Sequence, residues 1–114
     1  GDDLDAAVWV SPDGHDWERV ESRSLGGSGD QALAGVAVLD SEIIAVGYER
    51  IADRNAAVWR SSDATDWIRC DMASLSVAGF QELFAVGASD EAIIAVGYTG
   101  EIGDWDAGIW RLTR

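Results

Sequence analysis

The sequence predicts an all-β protein built from repeated units of four antiparallel strands. Three observations carry that prediction. First, a shift of fifty residues lays "AAVWVSPDGHDWERV" (6–20) on "AAVWRSSDATDWIRC" (56–70), and "IIAVGY" (43–48) on an identical "IIAVGY" (93–98), without a gap. Second, the apolar residues come in short bursts rich in Val, Ile and Gly, divided by turn signals, which is the pattern of strands rather than of helices. Third, several bursts are apolar at every position, as in strands covered on both faces. The register sets one repeat at 6–55, a second at 56–105 and the start of a third at 106–114, where "DAGIWRLTR" echoes "DAAVWVS" (5–11), all within one unit spanning 1–114.

Each element follows in order. "AAVWV" (6–10) is the first strand, and "DWERVES" (16–22) the second, with Trp17, Arg19 and Glu21 alternating against Glu18, Val20 and Ser22. "ALAGVAVL" (32–39) and "EIIAVGY" (42–48) form a hairpin about Asp40-Ser41. The second repeat supplies the same four elements, ending in "ELFAVGAS" (82–89) and "IIAVGY", and "AGIWR" (107–111) follows as a ninth strand. Ala6 to Val10 and Ile43 to Val46 run apolar without alternation, so these strands are expected between other layers. Gly and Ala crowd the strands at 32–39 and 82–89, as expected where sheets converge on an axis and space tapers. Radially stacked four-stranded sheets with a repeat of about fifty residues make a β-propeller.

"SPDGHDW" (11–17) and "SSDATDW" (61–67) lie at the same repeat position. An Asp there can accept hydrogen bonds from the N–H groups of its own turn, a Gly can take a positive φ, and a Trp can fold over the hairpin. These stretches resemble the Asp box of BNR-like, sialidase-type β-propellers, written Ser-x-Asp-x-Gly-x-x-Trp. Ser11, Asp13, Gly14 and Trp17 match in order, as do Ser61, Asp63 and Trp67. Both copies are one residue shorter than that pattern, and Ala64 stands where the first copy has Gly14. The resemblance implies that the box joins strands three and four of a blade, on the face opposite the ligand site. The chain would then run as strands 3-4, 1-2-3-4 and 1-2-3: one complete blade and two incomplete ones. Family resemblance alone suggests an extracellular or cell-surface setting.

Repeat units bury their faces only against neighbours, and about three are needed for stability. The sequence therefore predicts that faces carrying Val8, Trp9, Ile44 and Val46 need cover from other copies, and that the chain is a homo-oligomer. Three copies would supply about six blades, within the range in which propellers close. The abrupt opening "GDDLD", almost on top of a strand, reads as a piece of something longer.

Composition limits the partners. The chain has 21 Asp and Glu against 8 basic residues, all Arg, and a net charge of −13. No basic stripe exists to meet a phosphate backbone, and no apolar run approaches the roughly 18 residues of a membrane span, so neither nucleic acid nor membrane is expected. The single Cys70 forms no internal disulfide.

Chemistry is expected in the loops away from the boxes, at 48–55, 98–106, 21–31 and 71–80, where the repeats diverge. Tyr48, Arg50, Arg54, Tyr98, Glu101 and Trp105 are the candidate contacts for a glycan or protein ligand. Sialoside hydrolysis would need an arginine cluster and a Tyr paired with a Glu. Tyr48 and Glu49 are adjacent on a strand and point to opposite faces, and no Arg lies on an inner strand, so no catalytic residue is assigned. Arg19 and Arg69 recur after each box, as structural residues would. No cofactor and no metal is expected, since no carboxylate run has calcium-loop spacing and His15 is Thr65 in the second copy. The reading is a non-catalytic propeller scaffold or binding module. A fragment of a sialidase-like hydrolase, or a unit excised or engineered for propeller assembly, are the alternatives.

Overall fold

The structure, a computed structural model, describes residues 4–26, 29–50, 54–70, 80–89, 92–101 and 104–112. They form three antiparallel sheets. The first pairs β1 (Trp9–Val10) with β2 (Glu18–Arg19); the second is ordered β3 (Asp30–Leu39), β4 (Glu42–Arg50), β5 (Arg54–Ser61), β6 (Ile68–Cys70); the third is ordered β7 (Phe80–Ala88), β8 (Ile93–Glu101), β9 (Asp104–Leu112). Strands thus group two, four and three, each pairing with its chain neighbour. The hairpin turn at 40–41 brings Leu39 opposite Glu42, with Asp40 at a φ of 53° that an Asp tolerates.

Side-chain alternation decides which layer each residue meets. Ile44 and Val46 on β4, with Ala56 and Val58 on β5, point to the third sheet and pack with Leu83, Ile93 and Ala95. The residues between them, Ala45, Ala57 and Trp59, point to the first sheet and pack with Ala6, Val20, Leu25 and Trp67. The middle sheet is therefore sandwiched, which is why Ile44 to Gly47 are all buried and why this strand carries no polar alternation.

The same logic corrects one expectation. Ile44 and Val46 need no second chain, because the third sheet covers them. Their copies fifty residues on, Ile94 and Val96, are the residues left bare, together with Ile109 at 76% exposure on the neighbouring strand. Trp9 is bare on the opposite end of the stack. A second correction concerns 16–22: only Glu18–Arg19 forms strand, extended by one bond from the Val20 N–H to the Val8 carbonyl, and Arg23–Leu25 closes into a 3-10 turn. Leu25 turns inward there and is buried beside Ala6, whose N–H bonds to the Leu25 carbonyl.

β3 and β7 each carry a bulge at the same repeat position, between Leu33 and Gly35 and between Leu83 and Ala85. Opposite the bulges, the β4 and β8 backbones run so close to the neighbouring strand that a Cβ on Gly47 would stand 1.9 Å from the Ala32 carbonyl oxygen, and one on Gly97 1.8 Å from that of Glu82. Repeating the local geometry requires repeating the glycine.

Candidate functional site

The stretches at 11–17 and 61–67 are two copies of one hydrogen-bonded turn. In the first, Ser11 Oγ accepts from the Gly14 N–H at 2.8 Å, while Asp13 Oδ1 accepts from the N–H groups of His15 at 2.8 Å and Asp16 at 2.9 Å. In the second, Ser61 Oγ accepts from Ala64 at 2.8 Å and Asp63 Oδ1 from Thr65 and Asp66, each at 2.9 Å. Ser11 and Ser61 donate their hydroxyl protons to the same carboxylates. Two backbone N–H donors aimed at one carboxylate favour its charged form, so Asp13 and Asp63 are both held below the ordinary carboxylate range. The sign follows: a pKa lowered on folding gives stability that is present above the unfolded pKa and is lost as pH falls through the folded one. Acid titration followed by circular dichroism should show both turns loosening only below the usual Asp range, and Asp63→Asn should flatten that part of the curve.

The turn requires a positive φ at its fourth residue, and both residues there have it: 79° at Gly14 and 68° at Ala64. A Cβ in the left-handed region costs about 1 kcal/mol. Ala64→Gly should therefore raise unfolding free energy by about 1 kcal/mol in urea melts, less the loss from a more flexible unfolded chain. Trp67 offsets that cost. It is buried and its Nε1 donates to the Ala64 carbonyl at 2.9 Å, tying the ring to the strained residue. Trp17, expected to do the same, is 62% exposed; among the described residues no segment holds it as Ser22 and Ser24 hold Trp67.

The segment at 21–31, expected to carry chemistry, also forms a clamp through its described residues. Ser22 Oγ accepts from the Trp67 N–H at 3.3 Å, Ser24 Oγ donates to the Trp67 carbonyl, and the Ser24 carbonyl accepts from Trp59 Nε1 at 2.7 Å. The first repeat thereby fixes the box of the second. The recurrence of Ser24-Leu25 as Ser74-Leu75 was the sequence signal for it. Arg69 supports the structural reading of its repeat position: its guanidinium lies 5.6 Å from the centroid of the Trp59 ring and pairs with Glu49 at 3.0 Å.

The six candidate ligand contacts lie toward the ends of their hairpins. Arg50 is opposite Arg54, at the end of the middle sheet away from Ser61 and its box. Glu101 is opposite Asp104, and Gly100 opposite Trp105. Arg50 is exposed, Tyr48 half-buried opposite Ala32 and Ala56. The Tyr98 hydroxyl donates to Glu82 and its ring sits 5.2 Å from Phe84, so this residue has an internal task that the sequence did not show. The side chains of Arg54, Glu101 and Trp105, and residues 51–53, 71–79 and 102–103, lie outside the described residues. Among the described residues, no three His, Cys, Asp or Glu side chains converge as a metal set.

An apolar concavity lies elsewhere. A groove of about 470 Å³ runs between β1 and the face of β3 and β4, lined by Val8, Trp9, Leu33, Val36, Val38 and Ile43. Val36 and Val38 are 64% and 69% exposed, whereas Val86, at the position of Val36 in the next repeat, packs into the core. The difference is the overlying layer. β3 and β4 cover Val86, and the first sheet has only two strands, so nothing comparable covers Val36 among the described residues. Comparison with models of protein families, with curated protein sequences and with solved structures finds no match in any of the three.

Proposed function

We propose that the chain is a non-catalytic scaffold of the Asp-box β-propeller kind, in which the middle sheet is a whole blade and the two outer sheets are parts of blades that other chains complete. The observation that carries this reading is the translational repetition of one packing interface. Trp59 fills the space between the first and second sheets, and Trp110 at the equivalent position packs between the second and third. A stack made by repeating one contact has two unlike ends, and here both are apolar: Trp9 at one, Ile94, Val96 and Ile109 at the other. Unlike ends that fit each other join head to tail and close into a ring when the rotation per unit allows it. Three copies making about six blades is the closure we favour.

In this reading the Asp boxes are fasteners, and a glycan or protein ligand would bind at the opposite end of the sheets, where Tyr48, Arg50 and Arg54 lie. Light scattering on the eluting peak of a size-exclusion column tests the scaffold. The expected result is a discrete multiple of 12.2 kDa, with three copies favoured. A well-folded species at the mass of one chain, unchanged on concentration, would overturn it. Because each copy carries a net charge of −13, added salt should strengthen the association by screening.

A further inference from the structure

We infer that a second copy of this chain fills the groove by strand exchange, β9 of one copy pairing with β2 of the next in place of that copy's own β1. The inference rests on the scaffold reading above and adds the occupant, the register and the strand that leaves.

The occupant follows from the one interface of this type on view in full. Where the second and third sheets meet, Ile44 and Val46 of β4 pack over Leu83, Ile93 and Ala95. The groove presents the earlier copies of those three residues, Leu33, Ile43 and Ala45. The bare face of the third sheet presents the later copies of the other two, Ile94 and Val96. Seating the third sheet of one copy on the groove of another therefore recreates a contact the chain already makes internally. It covers Val36 and Val38 as β3 and β4 cover Val86.

That placement brings two strands to one position. β1 and β9 are both copies of β5, and only one can lie beside β2. β9 is held to β8 through nine consecutive register pairs, from Ile93 opposite Leu112 to Glu101 opposite Asp104. β1 is held to β2 through two, Trp9 opposite Arg19 and Val10 opposite Glu18. Detaching β1 breaks the fewer bonds. The register of β5 on β6, with Val58 opposite Cys70 and Trp59 opposite Arg69, then sets Ile109 opposite Val20, Trp110 opposite Arg19 and Arg111 opposite Glu18. Trp110 over Arg19 repeats the Trp59–Arg69 contact. Arg111 and Glu18 are both exposed and oppositely charged, whereas the present partner of Glu18 is Val10. Opposite charges across a strand pair stabilise it, and like charges do the reverse.

Single-cysteine variants in a Cys70→Ser background decide the matter. Ile109→Cys and Val20→Cys, mixed after mild unfolding and refolding together, should form a disulfide-linked dimer that neither forms alone. Val96→Cys with Val8→Cys is the rival pair, expected if β1 stays and β9 leaves; cross-linking there instead would overturn the exchange while leaving the scaffold intact. Assembly by light scattering with neither cross-link would overturn the strand pairing, again without touching the scaffold, and a single-chain mass throughout would remove both. Charge reversal gives a readout that touches no buried residue. Arg111→Glu should weaken assembly about fivefold at each interface, and mixing it with Glu18→Arg should restore it; a loss without restoration counts against the register.

Discussion

Trp59→Ala should remove about 3–5 kcal/mol of unfolding free energy, the range for deleting a buried tryptophan, while Trp9→Ala at the same repeat position should change the stability of the single chain by about 0.5 kcal/mol or less. Trp59 is fully buried between two sheets, opposite Ala45, with its Nε1 bonded to the Ser24 carbonyl and the Arg69 guanidinium over its ring. Truncation leaves a cavity at the join of the two layers, orphans the Ser24 carbonyl and strips Arg69 of one of its partners. Trp9 follows the same Ala-Ala-Val in sequence and is 55% exposed. Domains of this size are stable by about 5–15 kcal/mol, so the first variant should be largely unfolded at modest urea and the second should melt with the parent. Trp59→Phe separates the two parts of the effect. It keeps most of the apolar area and loses the donor, at about 1–3 kcal/mol for an unsatisfied carbonyl. Urea melts at matched, low protein concentration check all three. In the assembled state Trp9 leaves with β1 and Trp110 of another copy takes its place over Arg19, so Trp9→Ala should leave the fraction assembled unchanged while Trp110→Ala lowers it. Equal destabilisation by the two alanine variants at low concentration would mean that the layers do not pack as described.

The contrast between these two tryptophans marks how far the sequence could be read. Strand order, strand pairing and the two-four-three grouping were legible, because they depend on local pattern and on an alignable repeat, although 16–22 is strand only at Glu18–Arg19. The turn at Ala64 was not: an Ala in place of Gly14 argued for a somewhat different turn, yet Ala64 takes the same positive φ because the bonds to Ser61 and Asp63 demand it. Nor was exposure. Trp9 and Trp59, Val36 and Val86, Ile44 and Ile94 are pairs of the same residue at the same repeat position, and within each pair one member is covered well and the other little. What separates them is position in the stack, a property of how many sheets lie on either side. The internal contacts of Tyr98 were hidden for a related reason. Tyr98 lies beyond an identical "IIAVG" in both repeats, but its hydroxyl partner Glu82 and ring neighbour Phe84 stand where the first repeat has Ala32 and Ala34, so the repeat gave no sign of them. The serine clamp was hidden because its reach, from Ser24 to Trp67, crosses from one repeat into the next.

Gly47→Ala and Gly97→Ala should each cost at least about 3 kcal/mol, with Gly87→Ala, in the sheet of Gly97, as the control that costs nothing. The reason is contact rather than backbone freedom, since none of the three has a positive φ. A methyl carbon on Gly47 would lie 1.9 Å from the Ala32 oxygen and 2.9 Å from the Leu33 Cα, and one on Gly97 1.8 Å and 2.8 Å from the matching atoms of Glu82 and Leu83. Those atoms are backbone, held by the β3–β4 and β7–β8 ladders, so relief must come from parting the two strands at the bulge. Leu33 and Leu83 sit there, and Leu83 is fully buried in the core between the second and third sheets. Parting the strands therefore disturbs a layer contact as well as hydrogen bonds. Gly87 has open space where its Cβ would stand, and Ala in a strand is favoured over Gly by about 0.5–1 kcal/mol. The two sites should also differ in reach. Gly47 lies in the sandwiched middle sheet, so its substitution should unfold the whole chain in one step. Gly97 lies in the outer sheet, where hydrogen exchange should show β7 to β9 opening first while β3 to β6 stay protected. Uniform loss of protection in both variants would show that the three sheets fold as one cooperative block.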